Sequence, residues 1–283
     1  MLGSITWRDF SKHILRNRLS LIGLVLILAL LILAVIGPTV APYGPYATDP
    51  LNKLQGPSGT HPFGTDNLGR DLLTRILYGA RISVTIATIV LIVSGGLGTM
   101  IGIVSGYFGG GVDNLLMRIT DLFLAFPRLI LAMAIAAALG RDLRNVVLAV
   151  AFTSWTVFAR LARGQALAVK QQDYVEAARA TGATRRRILF VHVLPMCISP
   201  VIIQGTIAMG GIILTVAGLG FIGFGAQPPT PEWGVMVSDG RNYLPTAWWA
   251  CVFPGLAIMF TVLGFNLLGD GIRDILDPRM RRS

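Results

Sequence analysis

The sequence predicts an all-α multi-pass membrane protein of six transmembrane helices, with N and C termini both cytoplasmic. Three observations predict it. Of 283 residues, 53% are hydrophobic and only 13% are charged, and the mean hydropathy is +0.67, a balance ill suited to water as solvent. Apolar runs long enough to cross a hydrocarbon core of about 30 Å recur along the chain. The basic residues behind the net charge of +10 fall in short loops between those runs. That is the positive-inside pattern, and it makes topology a better account of the charge than nucleic acid.

In chain order, Arg8, Lys12, Arg16 and Arg18 against Asp9 place the N-terminus inside. Residues 19–36 form the first span. They exceed the hydrophobic region of a cleaved signal peptide, and the small-residue site near Thr39 and Ala41 is followed by Pro42. Residues 37–65, with Pro38, Pro42, Pro45, Pro50, Pro57 and Pro62, form an irregular extracytoplasmic excursion. Thr65 or Asp66 then caps a short amphipathic helix that lies along the membrane surface, with Leu68, Leu72, Leu73, Ile76 and Leu77 opposing Arg70, Asp71 and Arg75. His61, Asp66 and Asp71 lack the spacing of a metal site and read as a turn and a helix cap.

The second span covers 82–104. Its Ser94, Gly98, Gly102 and Gly106 recur every four residues, which makes a close-packing seam, with a hinge as the alternative. Arg118 and Asp121, three apart on the next helix, are candidates for a structural ion pair near the cytoplasmic boundary or for lining a polar pathway. The third span ends near Leu139. Arg141–Asn145 is a short outer loop whose arginines oppose the charge rule, and 146–161 is the fourth span. The two cysteines, Cys197 and Cys251, lie in or at the edge of spans and support neither a disulfide nor zinc.

Residues 163–195 are polar and basic, yet carry helical periodicity between two apolar runs. Asp173 is a candidate cap for a helix with Glu176 three residues on, Ala177, Ala178 and Ala180 continue it, and Gly182 supplies the left-handed backbone that stops it. A second helix starts at Thr184, with Ile188, Val191 and Leu194 on one face and Arg185, Arg186 and Arg187 around its first turns. Pro195 marks entry into the fifth span, 195–224, which Pro200 and its glycines predispose to tilt or break. An outer loop follows, where Trp233, Trp248 and Trp249 suit an aromatic belt and Glu232, Asp239 and Arg241 offer polar contacts. The sixth span, 248–268, returns the chain to a cytoplasmic tail with Arg273, Arg279, Arg281 and Arg282, where Asp277 before Pro278 suits a helix end. The domains expected are 1–80, an N-terminal segment with the first span and its excursion; 81–270, a core of five spans; and 271–283, the tail.

Glu176-Ala177-Ala178, Gly182 and Leu194-Pro195 at these spacings resemble the EAA loop of ABC-importer permeases. His192 stands where isoleucine is usual in that loop, although peptide-importer permeases commonly carry His there. Residues 61–83 and 106–127 and the GDGIRDILDPRMRRS ending resemble the C-type permease of dipeptide, oligopeptide and nickel importers. The resemblance implies the type I importer permease fold in a bacterial inner membrane, with Asp173, Glu176, Ala177, Ala178, Gly182, Leu194 and Pro195 in the loop that couples to an ATPase. It implies a second permease, two ATP-binding domains and an extracytoplasmic solute-binding protein, which Glu232, Asp239 and Arg241 would face. The cargo it implies is di- or oligopeptide, with nickel and glutathione as alternatives.

No GxxxxGK[ST] loop occurs, so ATP and magnesium are expected in the partner, and no cofactor, metal or catalytic residue in this chain. A secondary transporter driven by an ion gradient is the rival of another class. His13, His61 and His192 all lie outside the expected spans, which leaves it without the usual midplane ionisable group. A membrane enzyme is weaker still, for want of a nucleophile elbow or a His-Glu-x-x-His pair.

Overall fold

A computed structural model describes residues 17–276, and Arg8, Lys12, Arg16, Asp277-Pro278, Arg279, Arg281 and Arg282 lie outside the described residues. The described chain is helical, with only an isolated bridge between Thr65 and Asp71. Its helices are α1 (Arg18–Val40), α2 (Leu72–Phe108), α3 (Gly110–Leu124), α4 (Arg128–Leu139), α5 (Leu143–Lys170), α6 (Asp173–Ala180), α7 (Arg185–Ile222), α8 (Trp233–Gly240) and α9 (Trp249–Leu276). Five of them, α1, α2, α5, α7 and α9, are long and apolar enough to cross a membrane. At 1.5 Å per residue, the 37 residues of α2 reach about 55 Å, beyond the hydrocarbon core.

The chain divides into two compact units. One comprises Met1–Thr88, Ala136–Val147 and Thr206–Ser283, the other Ile89–Ile135 and Leu148–Gly205.

In the first unit the Asn17 side chain caps α1, accepting the amides of Leu19 and Ser20 at 3.0 and 3.4 Å. α1 packs on α9 so closely that a Cβ at Gly23 would lie 2.6 Å from the Leu268 nitrogen. The expected surface helix near 65–77 does not form. Residues 61–71 are instead a folded loop, and α2 starts at Leu72 with Asp71 accepting the Thr74 amide at 2.7 Å. Arg70, Asp71 and Arg75, expected on the polar face, and Asp66, a candidate cap, are all buried. The physical reason is pairing, since Asp66 lies 2.6 Å from Arg70 and 3.6 Å from Arg75, and Arg75 also donates to the carbonyls of Pro45 and Pro229 at 3.0 and 3.2 Å. Paired this way, the charges tolerate burial.

In the second unit α2 lies along α5 through the seam that the four-residue spacing predicts. A Cβ at Gly98 or Gly102 would overlap the carbonyl oxygens of Trp155 and Ala159, and one at Gly106 would sit 2.7 Å from that of Arg163. The third apolar segment departs from expectation: α3 and α4 meet at 89°. Pro127 is the cause, because it has no amide to continue α3 and disfavours helical backbone at Phe126. Its carbonyl then accepts the Leu131 amide and begins α4.

Candidate functional site

α5 carries the chain out to Lys170, and α6 and the start of α7 fold back against its end. A core of Tyr107, Ala162, Ala166, Val169, Val175, Ile188, Leu189 and Val193 holds them there. Within α6 only Val175 is buried, and Asp173, Glu176, Ala177 and Arg179 are exposed. One apolar anchor thus presents a short, small-residue surface outward.

Both ends of α6 are set by local chemistry. The N-cap is Gln172, whose carbonyl accepts the Val175 and Glu176 amides at 2.9 and 3.2 Å and whose side chain makes no cap bond. Asp173 is therefore not the cap that the sequence suggests. It occupies the first helical position, where with Glu176 it opposes the positive end of the macrodipole. At the other end the Ala183 amide reaches the Ala178 carbonyl and the Gly182 amide the Arg179 carbonyl, both at 3.0 Å. These are the paired bonds of a Schellman turn, with Gly182 at φ +82°.

Thr184 caps α7, its hydroxyl accepting the Arg187 amide at 3.3 Å. Ile188–Val193 then follows as a π-helical turn. This changes the expected face: Ile188, Leu189 and Val193 turn inward, while Val191 is 56% exposed. A π turn brings residues five apart into line, as with Ile188 and Val193. α7 runs on through Leu194 and Pro195, so the helix that carries the fifth span begins at Arg185, ahead of Pro195. The widened turn precedes Pro195, which has no amide to donate. His192 lies beside Tyr174 of α6, ring centroids 6.0 Å apart.

Arg118 and Asp121 do not pair. Asp121 accepts a 2.6 Å hydrogen bond from Arg160 of α5, and no ion pair joins it to Arg118 among the described residues. The i,i+3 spacing puts both on one side of α3, but the carboxylate faces the helix beside it. A stronger bridge, invisible in the sequence, is Arg163 to Asp113, bidentate at 2.6 and 2.7 Å, with Ser105 donating to the same carboxylate. Its partners are fifty positions apart, so only the packing of α3 on α5 reveals it.

Glu232 is not an exposed contact. It is 2% exposed and caps α8, its two oxygens accepting the amides of Gly234 and Val235 at 2.9 and 3.0 Å. Burial pushes its carboxyl above the ordinary range, and those two amides pull it back. Asp239 lies 3.9 Å from Arg70 with a third of its side chain exposed. Its carboxyl is likewise raised by burial and pulled back by Arg70 and Arg75. Arg241 is exposed over the Phe221 ring at 5.3 Å. Nearby, Trp233 and Trp249 donate to the carbonyls of Ile76 and Thr65 at 3.1 and 3.2 Å, fastening α8 and α9 to the α2 entry.

Among the described residues no three His, Cys, Asp or Glu side chains come together. His61 Nδ1 meets Asp71 Oδ1 at 2.9 Å and stacks on Tyr43, while Asp66 is committed to Arg70.

Comparison with known proteins bears on the whole chain. Residues 98–282 match the family model of binding-protein-dependent transport system inner membrane components, and residues 6–57 match that of the N-terminal TM domain of oligopeptide transport permease C. The chain is 44% identical to a dipeptide transport system permease protein of Alkalihalophilus pseudofirmus, over 97% of its own length and 90% of the relative's. It is 46% identical to a probable D,D-dipeptide transport system permease protein of Escherichia coli, over 92% and 88%. To a glutathione transport system permease protein of Pectobacterium atrosepticum it is 42% identical, over 97% and 92%. A chain of the methionine ABC transporter MetNI, solved in inward-facing conformations, shares the fold: TM-score 0.58 at 17% identity, covering 72% of this chain and 97% of that one.

Proposed function

The chain belongs to the inner membrane components of binding-protein-dependent transport systems, and from that membership we propose that it is the permease subunit of a peptide ABC importer in the bacterial inner membrane. With a second, similar permease it forms the translocation pathway for di- or oligopeptides, which an extracytoplasmic solute-binding protein delivers. Two ATP-binding domains supply the energy, and ATP and magnesium belong to them. The observation that carries the coupling role is α6: one buried valine, an exposed Glu176-Ala177 surface and a glycine-closed turn, held at the tip of α5. Small side chains let such a helix sit deep in a partner's cleft, and its anchor to α5 and α7 passes the partner's movement to the spans.

Peptide cargo is supported by relatives named for dipeptides, and glutathione is the second reading because a relative at 42% identity carries that name. Purifying the assembly from its native membrane in mild detergent tests the proposal. A P-loop ATPase, a second permease and a solute-binding protein are the expected companions in mass spectrometry. Recovery of this chain alone, under conditions that preserve other transporter complexes, would overturn ATP coupling and favour ion-driven transport. ATP-dependent uptake of a labelled dipeptide, with glutathione and nickel as competitors, then identifies the cargo.

A further inference from the structure

Beside the start of α2, within the first unit, polar side chains close round a space of molecular size. Asn67 of the loop before α2, Arg75 of α2, Asp239 of α8 and Tyr243 of the turn after α8 line it. The cavity measures about 10 Å3 as traced by the centre of a water-sized sphere, which is room for one molecule. Two of its polar atoms are buried without a hydrogen-bond partner among the described residues: Arg75 Nε, a donor, and Asn67 Oδ1, an acceptor. Arg75 is 2% exposed, and its Nη1 is committed to the carbonyls of Pro45 and Pro229. Its Nε stands 3.6 Å from Asp66 Oδ2, beyond hydrogen-bond reach, and that oxygen already takes Arg70 Nε at 2.6 Å. Asp239 is held as loosely, with Arg70 Nη2 stopping 3.9 Å from its carboxylate.

An unmade hydrogen bond is costly once buried, so a donor and two acceptors that share one small cavity call for a ligand able to serve both kinds. The mixture decides its chemistry. A cation would meet the Arg75 guanidinium. An anion such as chloride would meet the Asp239 carboxylate and the Asn67 oxygen. The neighbouring charges already balance, Asp66 and Asp239 against Arg70 and Arg75, so the site asks for no further charge. A neutral molecule that accepts one hydrogen bond and donates two satisfies all three groups, and about three is what a buried water ordinarily makes.

We propose that this cavity is the site of one bound water, which accepts from Arg75 Nε and donates to Asn67 Oδ1 and the Asp239 carboxylate. The water joins the loop before α2, α2 itself and the end of α8 at one point. Such a joint is nearly as good as a direct hydrogen bond. Asp239, with a third of its side chain exposed, stands at the way in and out. The site is independent of cargo and of ATP coupling.

The test is X-ray radiolytic footprinting of the full chain in mild detergent, in which radicals split from a bound water oxidise the buried side chains beside it. Met236 lines the cavity and is 3% exposed, whereas Met209 is 7% exposed and lies outside it. Met236 should be oxidised at least about ten-fold faster than Met209, because only Met236 has a water at hand. Ala250 of α9 also lines the cavity. Asn67→Leu and Ala250→Val, which fill the space from the loop and from α9, should each slow Met236 oxidation at least about five-fold and leave Met209 unchanged. A density map fine enough to show waters should place one within about 2.7–3.2 Å of both Arg75 Nε and Asn67 Oδ1. That map keeps the test decisive if either variant misfolds. Equal oxidation of the two methionines in the parent, undiminished Met236 oxidation in both variants, or an empty cavity in such a map would overturn the site. So would a Met236 oxidation rate or thermal midpoint that shifts when potassium gluconate replaces sodium chloride, since the occupant would then be an ion.

Discussion

At Gly182 the backbone takes φ +82°, and a Cβ built there meets nothing within 4 Å. A side chain at this position therefore costs only backbone strain, roughly 1–2 kcal/mol for a β-branched residue, and the cost falls on the turn that closes α6. Gly182→Val should reach the membrane in normal amounts, yet lower uptake at least about ten-fold; unimpaired uptake would detach α6 from coupling. Glu232 makes the opposite case, a residue whose exposed, polar reading fails. Its carboxyl is raised from 4.5 chiefly by burial, so its contribution to stability is complete below about pH 4.5 and is lost as pH rises through the folded value. Glu232→Gln should flatten the fall of the thermal midpoint in detergent as pH is raised above 4.5. Glu232→Ala, which removes both cap bonds, should cost about 1–2 kcal/mol below pH 4.5 and less as pH rises above it. Nothing in the sequence separates a wet glutamate from a buried cap, because both precede a helix. The Schellman glycine was legible because only φ > 0 needs it.

Among the elements, α2 shows how a spacing becomes a contact. Gly98, Gly102 and Gly106 let α2 and α5 approach until carbonyl oxygens fill the space a side chain would take, whereas a Cβ at Gly96 of the same helix meets nothing within 4 Å. Gly102→Leu should thus destabilise the protein by about 1–3 kcal/mol or more, since backbone must move to admit it. Gly96→Leu should stay within about 0.5 kcal/mol of the parent. Equal thermal midpoints for the two variants would remove the seam. The bend between α3 and α4 and the π turn in α7 were less legible. Both sit beside a proline, Pro127 and Pro195. A proline in an apolar run says that a helix is disturbed, and the packing around it decides whether the helix breaks, widens or, as at Pro200 inside α7, simply continues.

Across the whole molecule, ion pairs tie distant parts of the chain within each unit. Arg163 reaches Asp113 in one, and the Asp66, Arg70, Arg75 and Asp239 group lies in the other. The exposed Glu176 is free of such ties among the described residues. Glu176→Lys should therefore leave membrane insertion intact while reducing co-purified ATPase, on the order of ten-fold if the charge meets a complementary partner. Parallel loss of both would point to misfolding instead. By itself the sequence determined the helical membrane class, the long spans, the glycine seam and the α6 hairpin, because hydropathy, periodicity and backbone-demanding residues act locally. Only the tertiary structure decided that Asp66, Arg70, Arg75 and Glu232 are buried, that Asp121 prefers Arg160, and that Asn67, Arg75 and Asp239 face one cavity. Those outcomes depend on which charges meet after packing, and sequence separation does not record that.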